Sequence, residues 1–497
     1  MSPAKLPLLV LAGLLVAAVA GRSADAPPAA APVMDPRATL VPPGGSAPAF
    51  VPDPVNPQPY DFQSQLDIYG QKHPNPTARP LIEEGREMYG PGELKPGLNL
   101  FGEKNLAAPQ LLIYGDLRTV GAWNDNGGPQ KGEIAAKADI DVDLQLTGTE
   151  RIHYFFTPLN DGADFTRWEF TGDRPRQSRG VFDLTPGALF FEGDAGSIAS
   201  GLTNHNSSWD LPFTFGRIPL LFQNGVWLED AFDGFAFTIP ARNSPALQIT
   251  NMDVTFFAGF GHITTAALKG ADQGNVFGVN TFIEADAGYW ELGYGYVEGK
   301  GSLSDLSYSN ATIAFTHRYF DRLSNSVRVI GNFGQNPGPG HAHTADGAII
   351  LIENSLVSSL PLTLVPYLNG WVGFGHPQSL ARAANAGGVL LNTGIVFETD
   401  GITGFPKMDD SGHNTYGAAL GVEYLFDLHQ QLVFELAGLN TFGSAAARTT
   451  PAAQYGAGIR WQLPLNNAWI LRADTIAAVR EEQRNLLGFR LELRRKF

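Results

Sequence analysis

The sequence predicts an all-β fold: a transmembrane antiparallel β-barrel of about 16–18 strands, behind a Pro-rich N-terminal periplasmic arm. Three observations carry this. First, the final stretch Leu486 to Phe497 alternates strictly, with Leu487, Phe489, Leu491, Leu493 and Phe497 on one face and Gly488, Arg490, Glu492, Arg494 and Lys496 on the other. A period of two belongs to a strand, and a strand with one apolar and one charged face suits lipid on one side and water on the other. Second, segments of the same kind recur from Leu111 onward. Third, the 497 residues include 57 Gly and 11% aromatics but only 17% charged residues, which fits a large barrel girdled by aromatics.

The chain opens with Lys5, an apolar run from Leu6 to Val16, and Ala18-Val19-Ala20. This is the pattern of a secretory signal peptide, assigned to residues 1–20; the run is too short for a helical span of ~20 residues. The chain contains no Cys, which excludes disulfides, thiolate metal sites, lipoprotein processing and haem attachment through Cys-x-x-Cys-His. Formal net charge is −15. That makes nucleic acid a poor partner, and it disfavours anions as default cargo unless a local basic patch overrides the mean field. Residues 21–108 form the arm. Proline is dense from Pro27 to Pro59, a composition that stays extended or irregular. Within the arm, Ile82 to Met88 suggests a short helical turn.

The barrel is expected over residues 109–497. Leu111 to Trp123 alternates, and Asn124-Asp125-Asn126-Gly127-Gly128-Pro129 turns the chain. Glu133 to Leu146 is the clearest internal strand: Ile134, Ala136, Ala138, Ile140, Val142 and Leu144 share one face, and Lys137, Asp139, Asp141 and Asp143 the other. Thr147-Gly148-Thr149 then makes a hairpin with Arg151–Thr157. Further strands are expected at 165–171, 181–192, 213–222, 234–240, 253–262, 276–287, 289–298, 307–319, 324–333, 348–356, 362–374, 390–399, 414–426, 431–440, 455–463, 469–479 and 486–497.

A chain that ends on Phe497 after an alternating strand resembles bacterial outer-membrane β-barrel proteins. The resemblance implies that Phe497 is the assembly signal; Arg495 departs from the pattern, at a position two before the end that is usually apolar, and can snorkel to the interface. A second stretch, Phe215 to Ser244, carries Gly216-Arg217 and Phe232-Asp233-Gly234 and is similar in outline to alginate-export-type porins. That resemblance implies an inward-folding constriction loop, with Arg217, Glu229, Asp230, Asp233 and Arg242 as its charged candidates. No arginine-dense lumen is evident, a departure from an alginate channel.

The water face supplies the remaining candidates. Asp139, Asp141, Asp143 and Lys137, with Arg490, Glu492 and Arg494, are expected to line a channel, where carboxylates attract cations. Arg490, Arg494 and Lys496 are expected to pair with acids on the first strand, Asp116 among them. No metal site is expected; His341 and His343, near Asp346, are the only pair with ligand character. Asn204-His205-Asn206-Ser207-Ser208 holds the residue types of a barrel lipase without an acidic partner.

The expected function is therefore a porin of the Gram-negative outer membrane: passive diffusion of small hydrophilic solutes or ions, no enzyme activity and no cofactor. Expected partners are outer-membrane lipid and lipopolysaccharide, the barrel assembly machinery, and a periplasmic partner protein. The alternatives are a sheath around a periplasmic partner such as a multihaem electron-transfer cytochrome, and a barrel lipase or protease.

Overall fold

The protein is described by a computed structural model over residues 79–85, 97–172, 176–268, 273–358, 364–383, 387–399, 401–426 and 430–497. The signal peptide and most of the arm lie outside the described residues.

Eighteen antiparallel strands close into a barrel. They begin with β1 (Gln110–Asp125) and β2 (Lys131–Gln145). Strand β3 comes in two pieces, Arg151–Phe156 and Asp164–Thr171, both paired with β2. Strand β4 is also split, into Gln177–Arg179 and Pro186–Asp194. The strand expected at 181–192 thus begins only at Pro186, after the break that β4 shares with its partner. The wall continues with β5 (Pro212–Phe222), β6 (Leu228–Ser244), β7 (Ile249–Gly261), β8 (Gly274–Ala285) and β9 (Gly288–Gly299). Next come β10 (Tyr308–Tyr319), β11 (Leu323–Phe333), β12 (Gly347–Leu356) and β13 (Leu364–Gly375). The last five are β14 (Thr415–Phe426), β15 (Gln430–Thr441), β16 (Gln454–Pro464), β17 (Trp469–Arg480) and β18 (Leu486–Lys496).

The two ends of the barrel differ. At one end most connections are short, the exception being residues 195–211 between β4 and β5, which carry a helix (Ala195–Thr203); two residues, Asp286 and Ala287, join β8 to β9 with φ of 57° and 56°, the left-handed pair that matches strand twist in a hairpin. At the other end the connections are longer, up to residues 376–414 between β13 and β14. Both chain termini of the barrel lie at the tight-turn end. Side chains alternate as the sequence requires: on β18, Phe489 is 53% exposed while Arg490 is 1% exposed. The outward apolar band has aromatics at both rims, with Phe333, Phe374, Tyr416 and Tyr455 toward the loop end and Tyr319, Tyr424 and Phe426 toward the turn end. An apolar band between aromatic girdles is the surface that lipid covers.

Closure is made by β18 on β1, in register from Asp116 opposite Lys496 to Asp125 opposite Leu487. Phe497 finishes the ladder: its N–H donates to Gly115 O (3.0 Å) and its carbonyl accepts from Gly115 N (2.8 Å). The ion pairs seen for the inward charges of β18 among the described residues run to β17 and within β18 itself. Arg490 bonds Asp474 of β17 at 2.7 Å, and Arg494 bonds Glu492 at 2.8 Å. Asp116 is taken by Arg118 of its own strand at 2.6 Å. In the closed register Asp116 faces Lys496 while Arg118 faces Arg494, so each arginine turns to the nearest carboxylate on its own side. Arg495, on the lipid-side phase, lies over the Trp469 ring at 5.7 Å, a cation–π seat at the turn-end rim.

Ile82–Glu84 is a strand rather than the expected helical turn, paired antiparallel with β1 from Ile82 opposite Ile113 to Glu84 opposite Leu111. The unpaired edge of β1 supplies hydrogen-bond partners that an isolated short helix lacks. Deleting Phe497 removes two ladder bonds at the closing edge. We expect slower insertion into outer-membrane lipid vesicles, followed on gels by heat-modifiable migration, with a smaller effect on barrels already inserted; insertion at the wild-type rate would contradict this.

Candidate functional site

Two segments leave the wall at the loop end and enter the lumen. The first is the tip of the β5–β6 hairpin, Gln223 to Trp227. Gly216, at φ +120°, sits where an added Cβ would come 2.4 Å from Leu189 O, so only glycine fits this bend in β5. The tip then crosses to β9 and β10. Trp227 Nε1–H donates to Asn310 Oδ1 (2.7 Å), and Thr312 Oγ1 donates to Gln223 Oε1 (2.9 Å). Gly293 of β9 makes room, since a Cβ there would lie 2.7 Å from the Trp227 ring.

The second segment is the 376–414 connection. It joins the hairpin tip by a short parallel pairing, Leu228 with Ala381 and Glu229 with Arg382. Leu380 N donates to Trp227 O (2.7 Å) and Ser379 Oγ to Val226 O (2.7 Å). Trp227, Leu380, Leu390, Val396 and Phe397 are all buried in one apolar core built inside the barrel. Residues 390–399, expected as a strand, instead form two short 3-10 turns in this segment; their apolar side chains face that inner core rather than lipid.

Glu435 on the inner face of β15 anchors this segment. Its carboxylate accepts Ile395 N and Val396 N, both at 3.0 Å, and the Tyr367 hydroxyl also donates to it. Farther along, Ile402 packs with Val120, Ala135 and Phe165 of β1–β3, and Asn124 Nδ2 donates to Thr403 O (2.9 Å). Glu398 reaches Arg460 of β16 at 2.8 Å. The segment thus spans the lumen from β6 to β1 and β16.

A cavity of about 330 Å³ remains between this crossing segment and β2–β3. Its charged lining is basic: Lys131 and Arg167 from the wall and Lys407 from the segment, beside the backbone of residues 401–404. Each cation has a carboxylate behind it. Lys131 pairs with Glu133 (2.8 Å), Arg167 with Glu169 (3.0 Å) and Lys407 with Asp410 (2.5 Å).

The expected lining residues stand on the inner wall. Arg494, Arg118 and Lys137 lie side by side in one row across β18, β1 and β2. Asp139 is held by Lys137 (2.8 Å) and Arg118 (3.2 Å), and Asp143 by Arg151 (3.6 Å). No ion pair is seen for Asp141 among the described residues. Asp474 gathers three arginines, Arg460, Arg472 and Arg490, each within 2.8 Å.

Of the charges expected on the inward loop, Glu229 and Asp230 do enter the lumen. Glu229 pairs with Arg382 (3.3 Å), and Asp230 accepts Thr264 N (2.7 Å). Arg217 and Asp233 do not enter. Their neighbours Ile218 and Phe232 are fully buried inward, so alternation sends this facing pair to the outer side. There Arg217 bonds Asp233 (3.0 Å) and His262 bonds Asp233 (2.7 Å) at the loop-end rim. Arg242 lies near the opposite, turn end of β6, paired in register with Met252. His341 and His343 separate, to Asp305 (2.8 Å) and Asp346 (3.4 Å), and among the described residues no group of three ligands is placed to hold a metal. Sequence reasoning missed Lys131, Arg167, Lys407 and Glu435. The one signal was the wide interval between the strands now numbered β13 and β14, which an apolar run had filled with a false strand.

Comparison with known proteins shows the fold. No family model matches the chain, and no curated protein matches it in sequence. Among solved structures it is similar to Pseudomonas aeruginosa OccK2 (OpdF) in complex with glucuronate, with TM-score 0.51 and 11% identity over 78% of this chain and 98% of that one. It is likewise similar to the outer membrane protein opdK of the same organism, with TM-score 0.50 and 12% identity over 78% and 98%. The third, P. aeruginosa OpdQ, gives TM-score 0.50 and 9% identity over the same shares. The likeness is one of fold: a closed antiparallel barrel of the same build.

Two predictions follow from the crossing segment. Replacing Glu435 by Ala strands two backbone donors, and hydrogen bonds to a charged acceptor are worth about 1.5–3 kcal/mol each. We expect amides 395–398 to exchange at least ten-fold faster while the wall strands keep their protection; unchanged exchange would remove Glu435 as the anchor. The second concerns pH. Burial pushes the Asp409 carboxyl up to about 6 from an ordinary 3.8, and burial beside His376 pushes His413 down to about 4 from 6.5. A raised carboxyl favours the docked segment at low pH and weakens it as pH rises from about 4 to 6; a depressed imidazole does the reverse between about 4 and 6.5. The two oppose each other. Asp409→Asn should leave docking that tightens with rising pH, and His413→Gln docking that loosens, both read by amide exchange corrected for its intrinsic pH dependence.

Proposed function

We propose that the protein is an outer-membrane channel for passive diffusion of small hydrophilic solutes, with passage controlled by the two segments inside the barrel. The observation that carries this reading is the cavity ringed by Lys131, Arg167 and Lys407 beside the crossing segment. A polar interior behind a lipid-facing band can hold a water-filled path. Inward loops set the size limit of such a pore, and side-chain charges at its narrow part set ion preference.

The chain as a whole is acidic, but the narrow part is not. Three cations facing one small volume outweigh a distant mean charge, because screening confines each charge to about 8–10 Å. The reading therefore favours anionic or zwitterionic solutes at this point. Glucuronate, the ligand of the similar OccK2 structure, carries one carboxylate and several hydroxyls, the kind of solute this lining suits. The aspartate column on β2 is a weaker influence here, since none of its three carboxylates lines this cavity.

The likeness of Phe215–Ser244 to alginate-export-type porins enters through the hairpin tip, which does fold inward; a polyuronate cargo is the extension of that likeness. The reading assigns no catalytic step and no cofactor. It also places the protein in the Gram-negative outer membrane, with lipid and lipopolysaccharide around the apolar band and the assembly machinery acting on the closing strand.

The test is planar-bilayer recording with purified protein. Conductance steps are expected, with a reversal potential in a salt gradient on the anion side. Changing Lys131, Arg167 and Lys407 together to Gln should move that potential toward cations, most at low salt. No conductance in the wild type would remove the channel reading; an unmoved potential in the triple variant would remove these residues as the selective part.

A further inference from the structure

Seventeen of the eighteen neighbour contacts around the barrel join strands that are consecutive in the chain; the contact of β18 with β1 joins its two ends. This seam is also staggered. Strand β1 starts at Gln110, but β18 and the terminal Phe497 pair only from Gly115 upward. The edge of β1 below Gly115 therefore has no partner from the last strand, and an open strand edge is a template for any extended chain.

The described part of the arm occupies that edge. Ile82, Glu83 and Glu84 pair with Ile113, Leu112 and Leu111 in the same sense as β18, so they prolong the last strand past its end. Alternation is kept across the break. Ile82 faces outward with Ile113, and Glu83 faces inward with Leu112, where Arg79 bonds it at 2.8 Å. After Glu84 the chain turns at Gly85, whose φ is +94° and whose added Cβ would lie 2.3 Å from Pro109 O.

We propose that residues 79–84 are an edge clasp: an interaction segment of this chain whose acceptor is the free edge of β1 beside the seam, and which stabilises the wall there by completing the hydrogen bonding of that edge at the turn end. It acts on the wall and not on the passage, so permeation is independent of it.

The absence of Cys in the chain makes the test clean. In the full-length protein, Ile82→Cys with Ile113→Cys places two thiols on directly opposed residues, whose Cβ atoms in such pairs are about 4.5–5.5 Å apart. Mild oxidation should link them in folded, inserted protein, and the linked form should unfold at a higher temperature on heat-modifiable gels than the same sample after reduction. A second variant, Ile82→Pro, removes a donor that the clasp gives to β1 without touching the wall. In it the amides of Leu111 and Ile113 should exchange at least ten-fold faster, with conductance unchanged. Failure of the cysteine pair to link, or a linked form that unfolds no later than the reduced one, would overturn the proposal. So would unchanged exchange at Leu111 and Ile113 in Ile82→Pro.

Discussion

A backbone amide in hydrocarbon has no water to turn to, so every strand in the band must find its hydrogen bonds in another strand. That constraint governs the rest of this molecule. It forces the wall to close, and closure forces the last strand onto the first, in the register from Asp116–Lys496 to Asp125–Leu487. It also fixes which faces meet lipid. Once Phe489 and Leu491 point outward, Arg490 and Glu492 have to point inward and to find partners there. Removing one member of such a buried pair typically costs about 3–5 kcal/mol, because the other is left as an uncompensated charge. The dense ion-pair lattice of β16–β18 is the consequence of a lipid-facing alternation, whatever solute passes by it.

The same constraint explains what was legible in the sequence. Wherever lipid and water set the two faces, period two was visible, and the strands at residues 276–285, 308–319 and 486–496 emerged close to their observed bounds. It failed where a residue's surroundings were neither lipid nor water. Residues 390–399 are apolar because they join a core inside the lumen, and an apolar run carries no mark of which kind of burial it serves. Ile82–Glu84 gave no signal because three residues hold no period; their strand depends on an edge supplied more than twenty residues away. The charges of the β5–β6 stretch were assigned together to an inward loop, yet the structure splits them: Glu229, at the hairpin tip, meets Arg382 of the crossing segment and Asp230 turns in, whereas Arg217 and Asp233 turn out. The cavity-lining cations Lys131, Arg167 and Lys407 come from three separate stretches, and no spacing in the sequence joins them.

A chain of net charge −15 nevertheless places three cations around the cavity beside its crossing segment. The reconciliation is geometric. The carboxylate partners of those cations are not part of the cavity lining, so the field is sorted rather than summed. Composition constrains solubility and long-range encounter, whereas selectivity belongs to the few groups within a screening length of the path.

The hairpin tip and the 376–414 segment are not two independent obstacles. They share backbone hydrogen bonds, a parallel bridge and one apolar core around Trp227 and Leu380, so neither can swing aside without exposing the other's buried face. Together they form one packed body. Thermal or voltage-driven rearrangement of such a body is all-or-none, and single-molecule current traces from this barrel would show full-amplitude two-level switching in place of a staircase of sub-states.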